Sequence, residues 1–375
     1  MKKKLLYIVE AMGGGVFTYL VDLANELADS FDIYIAFAIR PQTPEDYRNK
    51  FKSGIHLIKV KNFTRSINPV KDIQAFFEIK NIASRVKPDI IHLHSSKAGV
   101  LGRWAFDGKD VPLFYTPHGY SFLMSDYGIF KRTMFKIIEK VSAHRNCKII
   151  SCSEGEHKES LKLTKNAIYI DNGINTEELH KLMDISENFT WKGNQKVKGD
   201  MMQDNQMKHR FTVFTLGRIC YQKNPKLFND IALALPDVRF LWIGDGEMRD
   251  ELYAPNIEIT GWKQRAEAVK LSMPTDVFLL TSFWEGLPMS LLEAMYMKKI
   301  CVVSDVIGNR DVISNGRNGF VCTDKIEYIS AIKAAENGIC EEMIEQARHD
   351  VDKLYNTVRM ARKYKEIYEH RTDNI

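Results

Sequence analysis

No stretch of the 375 residues approaches the ~20 consecutive apolar residues that a membrane-spanning helix needs. The run Met1–Met12 opens with three lysines and imitates a secretory leader. Glu10 interrupts it, however, and glycines follow at once with no small-residue cleavage site, so a first buried strand is expected. Cysteine is sparse. The six cysteines form no C-x-x-C pair, which argues against zinc or a disulfide framework and for small buried thiols in a reducing cytoplasm. Charge of one sign is missing too, since 53 Lys and Arg against 48 Asp and Glu leave only +5. That excess would suit an anionic substrate or a membrane surface, but mixed-sign solvated helices account for most of it and no nucleic-acid partner is called for. A dinucleotide fingerprint is absent, because G-x-G-x-x-G from Gly13 would place glycine at Thr18. Asp-x-Asp occurs once, as Asp350-Val351-Asp352 in a helical tail, where a solvated helix face is expected in place of a metal site.

What is present is alternation. Short β-branched and aromatic runs, each followed by helical periodicity, predict α/β architecture with parallel sheets. The first series has strands at Leu5–Glu10, Ile33–Phe37, Ile55–Val60, Ile90–His94, Leu113–Thr116, Lys148–Cys152 and Ala167–Ile170, with helices such as Val16–Ala28, Val70–Val86 and Phe130–His144. A second series has strands at Phe211–Leu216, Val238–Ile243, Ile257–Thr260, Val277–Leu280 and Cys301–Ser304. The length also suits two cores better than one. Between the series, Asp184–Arg210 is polar and aperiodic and reads as a mobile surface loop, while Lys353–Glu369 reads as a single last helix.

Ligands of open parallel sheets bind at the carboxyl ends of the strands, which is where polar residues and glycines matter most. Gly13-Gly14-Gly15 ends the first strand and opens a helix, offering either unpaired N–H groups to an anion or merely a tight turn. His92 and His94 end another strand, and Thr116-Pro117-His118-Gly119 holds His118 in a fixed turn. Each histidine alone reads more readily as a structural residue. Gly217-Arg218, with Lys223 five residues after the arginine, sets two cations on a loop before a helix, as two ends of a diphosphate would need. Glu285-Gly286-Leu287-Pro288 precedes a helix that carries Glu293. The two carboxylates cannot share a helical face, so one suits a sugar and the other ribose hydroxyls.

Taken with Asn172-Gly173, Gly244-Asp245-Gly246, Gly261, Ser304-Asp305, Gly316 and Gly319, these motifs resemble retaining glycosyltransferase family four, of the GT-B fold and the bacterial surface-polysaccharide type. The match runs through nearly the whole chain in one order. The resemblance implies two Rossmann-like domains with an interdomain donor cleft: 1–171 on the acceptor side, 172–352 on the nucleotide-sugar side, and a C-terminal helix 353–375 crossing back onto the first. It implies that Arg218 and Lys223 hold the diphosphate, that Glu293 binds ribose and that the base lies near Trp262. His118 and Glu285 would then face the transferred sugar as catalytic residues. Gly14, Gly15, Gly217, Gly286, Leu287 and Pro288 would complete the donor site. One departure stands out: Lys298 and Ile300 occupy positions where the family commonly has Gly and Pro, which puts the local turn geometry in question.

The implied reaction moves a hexose or N-acetylhexosamine from a nucleotide-sugar, UDP favoured over GDP, to a glycan or polyprenyl-linked acceptor. No cofactor and no metal are expected. A nucleotide-sugar epimerase of the same fold and an inactive donor-binding partner remain the alternatives. The expected location is cytoplasmic; residues 130–145 read first as a helix packed on its sheet and second as a peripheral membrane contact. There Arg132, Lys136, Lys140 and His144 recur every fourth residue while Met134, Ile137, Ile138 and Val141 fall to another side; a helix packed on its sheet would look similar.

Overall fold

The computed structural model describes residues 1–10, 12–40, 43–64, 66–196, 210–338 and 340–370. By contact the chain forms two units. Unit 1 is Met1–Ile174, Trp284–Met289 and Leu354–Ile375; unit 2 is Asn175–Phe283 and Ser290–Lys353.

Unit 1 is built on a parallel sheet of β1 (Lys3–Val9), β2 (Phe31–Phe37), β3 (His56–Lys59), β4 (Ile90–His94), β5 (Leu113–Thr116), β6 (Lys148–Ser151) and β7 (Ala167–Tyr169), in the order β3-β2-β1-β4-β5-β6-β7. Its crossovers are α1 (Gly14–Leu27), α2 (Pro69–Val86), α3 (Ser96–Ala105), α4 (Ile129–Ser142) and α5 (Glu154–Leu161). The central strands are mostly apolar because helices cover both faces. Leu5 to Val9 are all inaccessible to solvent. One face packs Phe17, Leu20 and Leu23 of α1; the other packs Ile79, Ile82 and Val86 of α2.

Unit 2 begins with α6 (Thr176–Lys196) and repeats the plan with β8 (Thr212–Leu216), β9 (Arg239–Ile243), β10 (Ile257–Ile259), β11 (Val277–Leu280), β12 (Ile300–Ser304) and β13 (Phe320–Cys322), in the parallel order β10-β9-β8-β11-β12-β13. Its remaining helices are α7 (Pro225–Ala234), α8 (Arg265–Ser272), α9 (Met289–Tyr296), α10 (Asn309–Val312), α11 (Lys325–Glu336) and α12 (Glu341–Leu354). The edge strand β13 was not expected from the sequence.

Four further expectations need correction. The aperiodic stretch from Asp184 is helical as far as Lys196, because α6 starts with Glu177 and Glu178 in its first turn and buries Leu179; residues 197–209 lie outside those described. The tail 353–375 is not one helix. It is divided between the end of α12 and α13 (Thr357–His370), with 371–375 outside the described residues. The break is forced by pairing: Ile174 N donates to Tyr355 O at 2.9 Å and Thr357 N to Ile174 O at 3.0 Å, a bridge incompatible with continuous helix. Beyond it, α13 buries Tyr364 and Tyr368 against α1 and the first sheet. Asp350 is no solvated group, since it is buried and accepts from Arg317, Asn318 and Gln346; Asp352, paired with Arg348, keeps to the exposed face. Finally, the turn into β12 forms without glycine, Lys298 itself taking the left-handed conformation at φ 57°.

No disulfide joins any of the six cysteines, and all but the half-buried Cys220 are buried. No described helix is long and apolar enough to cross a membrane.

Candidate active site

In unit 1 the site residues gather where β1, β4 and β5 end. Parallel register sets His94 opposite Thr116, so His118, two residues farther on, reaches back over the end of β4. His118 Nε2 lies 3.0 Å from His94 Nδ1, and the ring of Tyr19 from α1 meets the His118 ring edge-on at 4.7 Å. His118 sits in the left-handed region at φ 55°, a conformation stabilised by its turn: Gly119 N donates to Glu156 Oε1 at 2.6 Å while Cys152 N donates to Oε2 at 2.8 Å. Behind it, His92 is held by Tyr368 Oη at 2.6 Å and Thr116 Oγ1 at 2.9 Å. Burial pushes His118 down to about 3 and His92 and His94 well below the ordinary imidazole value, so all three are neutral at pH 7.

Trp284–Met289 belongs to the same unit and packs on the His118 turn. A Cβ at Gly286 would lie 3.1 Å from both Gly119 N and His118 C, and Asn172 Nδ2 donates to Leu287 O at 3.0 Å. A side chain at 286 would crowd the turn, and this close approach sets the buried Glu285 beside the histidine turn. Gly286→Ala should therefore destabilise the protein by about 1–3 kcal/mol through overpacking, read as a lower urea midpoint. An unchanged midpoint would mean the loop yields freely. Pro288 closes the loop. Gly14 begins α1 at φ 57° with open space around it, and Gly15 comes within 3.8 Å of Met289 Cγ. The first turn of α1 has no acidic residue, leaving its N–H groups suited to an anion.

In unit 2 three strand ends converge. Gly217 N donates to Ile243 O, Ile219 N to Asp245 O, and Gly244 bridges Gly261, which puts Arg218 and the exposed Trp262 on one edge of the sheet. Arg218 pairs with Glu247 at 2.8 Å. The loop ending in Lys223 is anchored: Thr281 Oγ1 donates to Lys223 O, Phe283 N to Gln222 O, and the Tyr221 and Phe283 rings stack at 5.0 Å. Asn224 then caps α7, with Pro225 following at its first position. Glu293, buried on α9, pairs with Arg265 at 2.9 Å. Burial raises the Glu293 carboxyl above its usual range, while Arg265 opposes that shift.

Sequence reasoning missed Arg265. No spacing links it to Glu293, since their meeting depends on how α8 packs in the folded unit. Glu156, which holds the His118 turn, was missed too; its only signal is a place in the first turn of α5. Among the described residues no group of three or more His, Cys, Asp or Glu is arranged to hold a metal ion.

Two family models match the chain: Glycosyltransferase Family 4 over residues 13–178 and Glycosyl transferases group 1 over residues 210–336. It is 28% identical, over 82% of each chain, to the UDP-Gal:alpha-D-GlcNAc-diphosphoundecaprenol alpha-1,3-galactosyltransferase of Escherichia coli. It is 25% identical, again over 82% of each, to an N,N'-diacetylbacillosaminyl-diphospho-undecaprenol alpha-1,3-N-acetylgalactosaminyltransferase of Campylobacter jejuni. Among solved structures, a sucrose-phosphate synthase from Thermosynechococcus elongatus superposes with a TM-score of 0.81 at 15% identity, covering both chains fully. Anabaena HepE in complex with UDP and glucose gives 0.76 at 16%, over 98% of this chain and 100% of that one. Two doubly wound parallel sheets, and two family models that between them take in both series of strands, lead to one conclusion: the chain belongs to glycosyltransferase family 4 and has the GT-B fold.

Proposed function

We propose that the chain is a retaining, metal-independent transferase that moves a hexose or N-acetylhexosamine from a UDP-sugar to a polyprenyl-diphosphate-linked acceptor in bacterial surface-polysaccharide synthesis. The observation that carries this reading is the packing of the Glu285–Pro288 loop on the His118 turn, which sets a carboxylate and a neutral imidazole at the carboxyl ends of strands. The galactosyltransferase relative supports the donor and acceptor classes by its name, and a further relative, 25% identical over 97% of this chain, is a 41.2 kDa protein in the cps region of Klebsiella pneumoniae.

In this mechanism Arg218 and Lys223 neutralise charge on the departing diphosphate, so that the sugar C1–O bond breaks without a metal. Glu293 accepts from ribose hydroxyls, Trp262 stands beside the base, and His118 and Glu285 contact the sugar. The acceptor oxygen attacks C1 from the face the diphosphate leaves, and its proton passes to the diphosphate oxygen.

The face of α4 supports a membrane-borne acceptor. Its buried residues are Glu139 and Ser142, whereas Ile129 and Phe130 are about 85% exposed and Ile137 and Val141 are at least half exposed. Part of the apolar side thus faces outward, with Lys131, Lys136 and Lys140 also exposed, while Phe135 packs on the core of the sheet. Arg132 plays a different part, donating to Phe122 O at 3.0 Å.

The test supplies UDP-sugars with a polyprenyl-diphosphate acceptor in anionic vesicles and reads product anomer by NMR. A product keeping the donor's α-configuration, formed at an undiminished rate in chelator, is the expected result. Inversion, strict metal dependence, or sugar interconversion without acceptor would each overturn a stated part. Replacing Lys131, Lys136 and Lys140 together with Gln should weaken vesicle co-sedimentation by roughly 1 kcal/mol per charge and slow transfer, with UDP affinity intact. Unaltered sedimentation would return α4 to a plain packing role.

A further inference from the structure

We propose that His94 is a positioning residue that fixes His118 in the tautomer carrying its proton on Nδ1. The inference rests on the reading that His118 faces the transferred sugar. It starts from the 3.0 Å contact between His94 Nδ1 and His118 Nε2, in which one nitrogen must donate and the other accept. Both rings are held neutral by burial, so each imidazole has a single proton to place.

The surroundings of His94 decide which one donates. Among the described residues no hydrogen-bond partner reaches its buried Nε2. The ring is enclosed by Tyr7 at 5.2 Å, Tyr19 at 5.9 Å and His92 at 4.1 Å, with no carboxylate among these ring neighbours. Neither nitrogen of His92 is available, since one meets Tyr368 Oη and the other Thr116 Oγ1. A buried N–H without an acceptor is rarer and costlier than a buried lone pair without a donor. The proton of His94 therefore belongs on Nδ1, where it has a partner, and His94 Nδ1–H donates to His118 Nε2. His118 must then keep its own proton on Nδ1. It presents a neutral N–H donor to a sugar hydroxyl, and cannot act there as an acceptor.

Selective 15N labelling of histidine, with long-range 1H–15N correlation on the full chain, tests the assignment directly. The His118 signals, identified by their loss in His118→Ala, should show a protonated Nδ1 and an unprotonated Nε2. The opposite pattern overturns the proposal. Asparagine can place an N–H where His94 Nδ1 stands, and phenylalanine cannot. His94→Asn should thus keep kcat within about threefold and preserve the His118 tautomer, whereas His94→Phe should lower kcat at least about tenfold, mix the tautomers and leave the Kd for UDP unchanged. Turnover in His94→Phe within twofold of wild type would sink the idea. If that variant does not fold, the wild-type spectrum decides alone. Full activity in His118→Ala would remove the sugar-facing role of His118 without touching the tautomer assignment, so the two failures are distinguishable.

Discussion

Replacing His118 with alanine should lower kcat by about 10²-fold while the Kd for UDP stays within about twofold. The expectation follows from where the imidazole sits. It stands on the β5 turn of unit 1 beside Glu285, whereas the cations expected to hold the diphosphate, Arg218 and Lys223, are on a loop of unit 2. A buried imidazole that holds the sugar in its reacting geometry is worth ~10² in rate when removed, because a small misplacement of the reacting atoms costs about that much. Glu285→Gln should act likewise, with loss in kcat far exceeding any change in nucleotide affinity. Single-turnover transfer combined with calorimetry on UDP separates the two quantities. Wild-type turnover in either variant would remove that residue from the catalytic set, and equal losses in kcat and UDP affinity would place it on the nucleotide instead.

Arg218→Ala and Lys223→Ala should produce the opposite split. Each removes a charge-assisted contact worth about 1.5–3 kcal/mol, which is roughly a 10- to 150-fold rise in the Kd for UDP, while uridine binding barely changes. The structure adds a control. Arg218 pairs with the half-exposed Glu247 at 2.8 Å, and an exposed pair of this kind contributes at most about 1 kcal/mol. A diphosphate, with more charge and more acceptor oxygens, should displace that carboxylate. Glu247→Ala should therefore leave UDP affinity unchanged or improve it slightly. Calorimetry showing intact UDP affinity in both cation variants would put the diphosphate elsewhere.

The strands were the most legible part of the sequence, and the reason is burial. Runs such as Leu113–Thr116 and Val277–Leu280 are covered on both faces, so most of their residues are apolar, and the observed bounds coincide with the expected ones. β13 escaped notice because three residues at a sheet edge carry too little pattern. The break at Tyr355–Asn356 was invisible for another reason: a bridge to Ile174, far away in the sequence, overrides a helical period that continues through it. The polar stretch from Asp184 misled in the opposite direction, since among residues 176–186 of α6 only Leu179 and Ser186 are buried and the apolar stripe is slight.

Site residues were legible one at a time and their partnerships were not. His94 and His118 each marked a strand end, but only the register of β4 on β5 brings imidazoles 24 residues apart into contact. The pairing of Glu293 with Arg265 and the grip of Glu156 on Gly119 N are likewise products of packing.

The cluster of His92, His94 and His118 also makes the first unit acid-labile. All three imidazoles have folded-state values below the ordinary 6.5, whereas in the unfolded chain they protonate near it. The unfolded state therefore binds more protons as pH falls, and stability that is fully present above about 6.5 declines towards the folded value of about 3 for His118. His118 alone contributes up to about 1.4 kcal/mol of loss per pH unit in that window, and His92 and His94 act in the same direction. Activity lost in mild acid would then report the melting of a buried aromatic core around neutral histidines, and would say nothing about a group titrating in the chemical step.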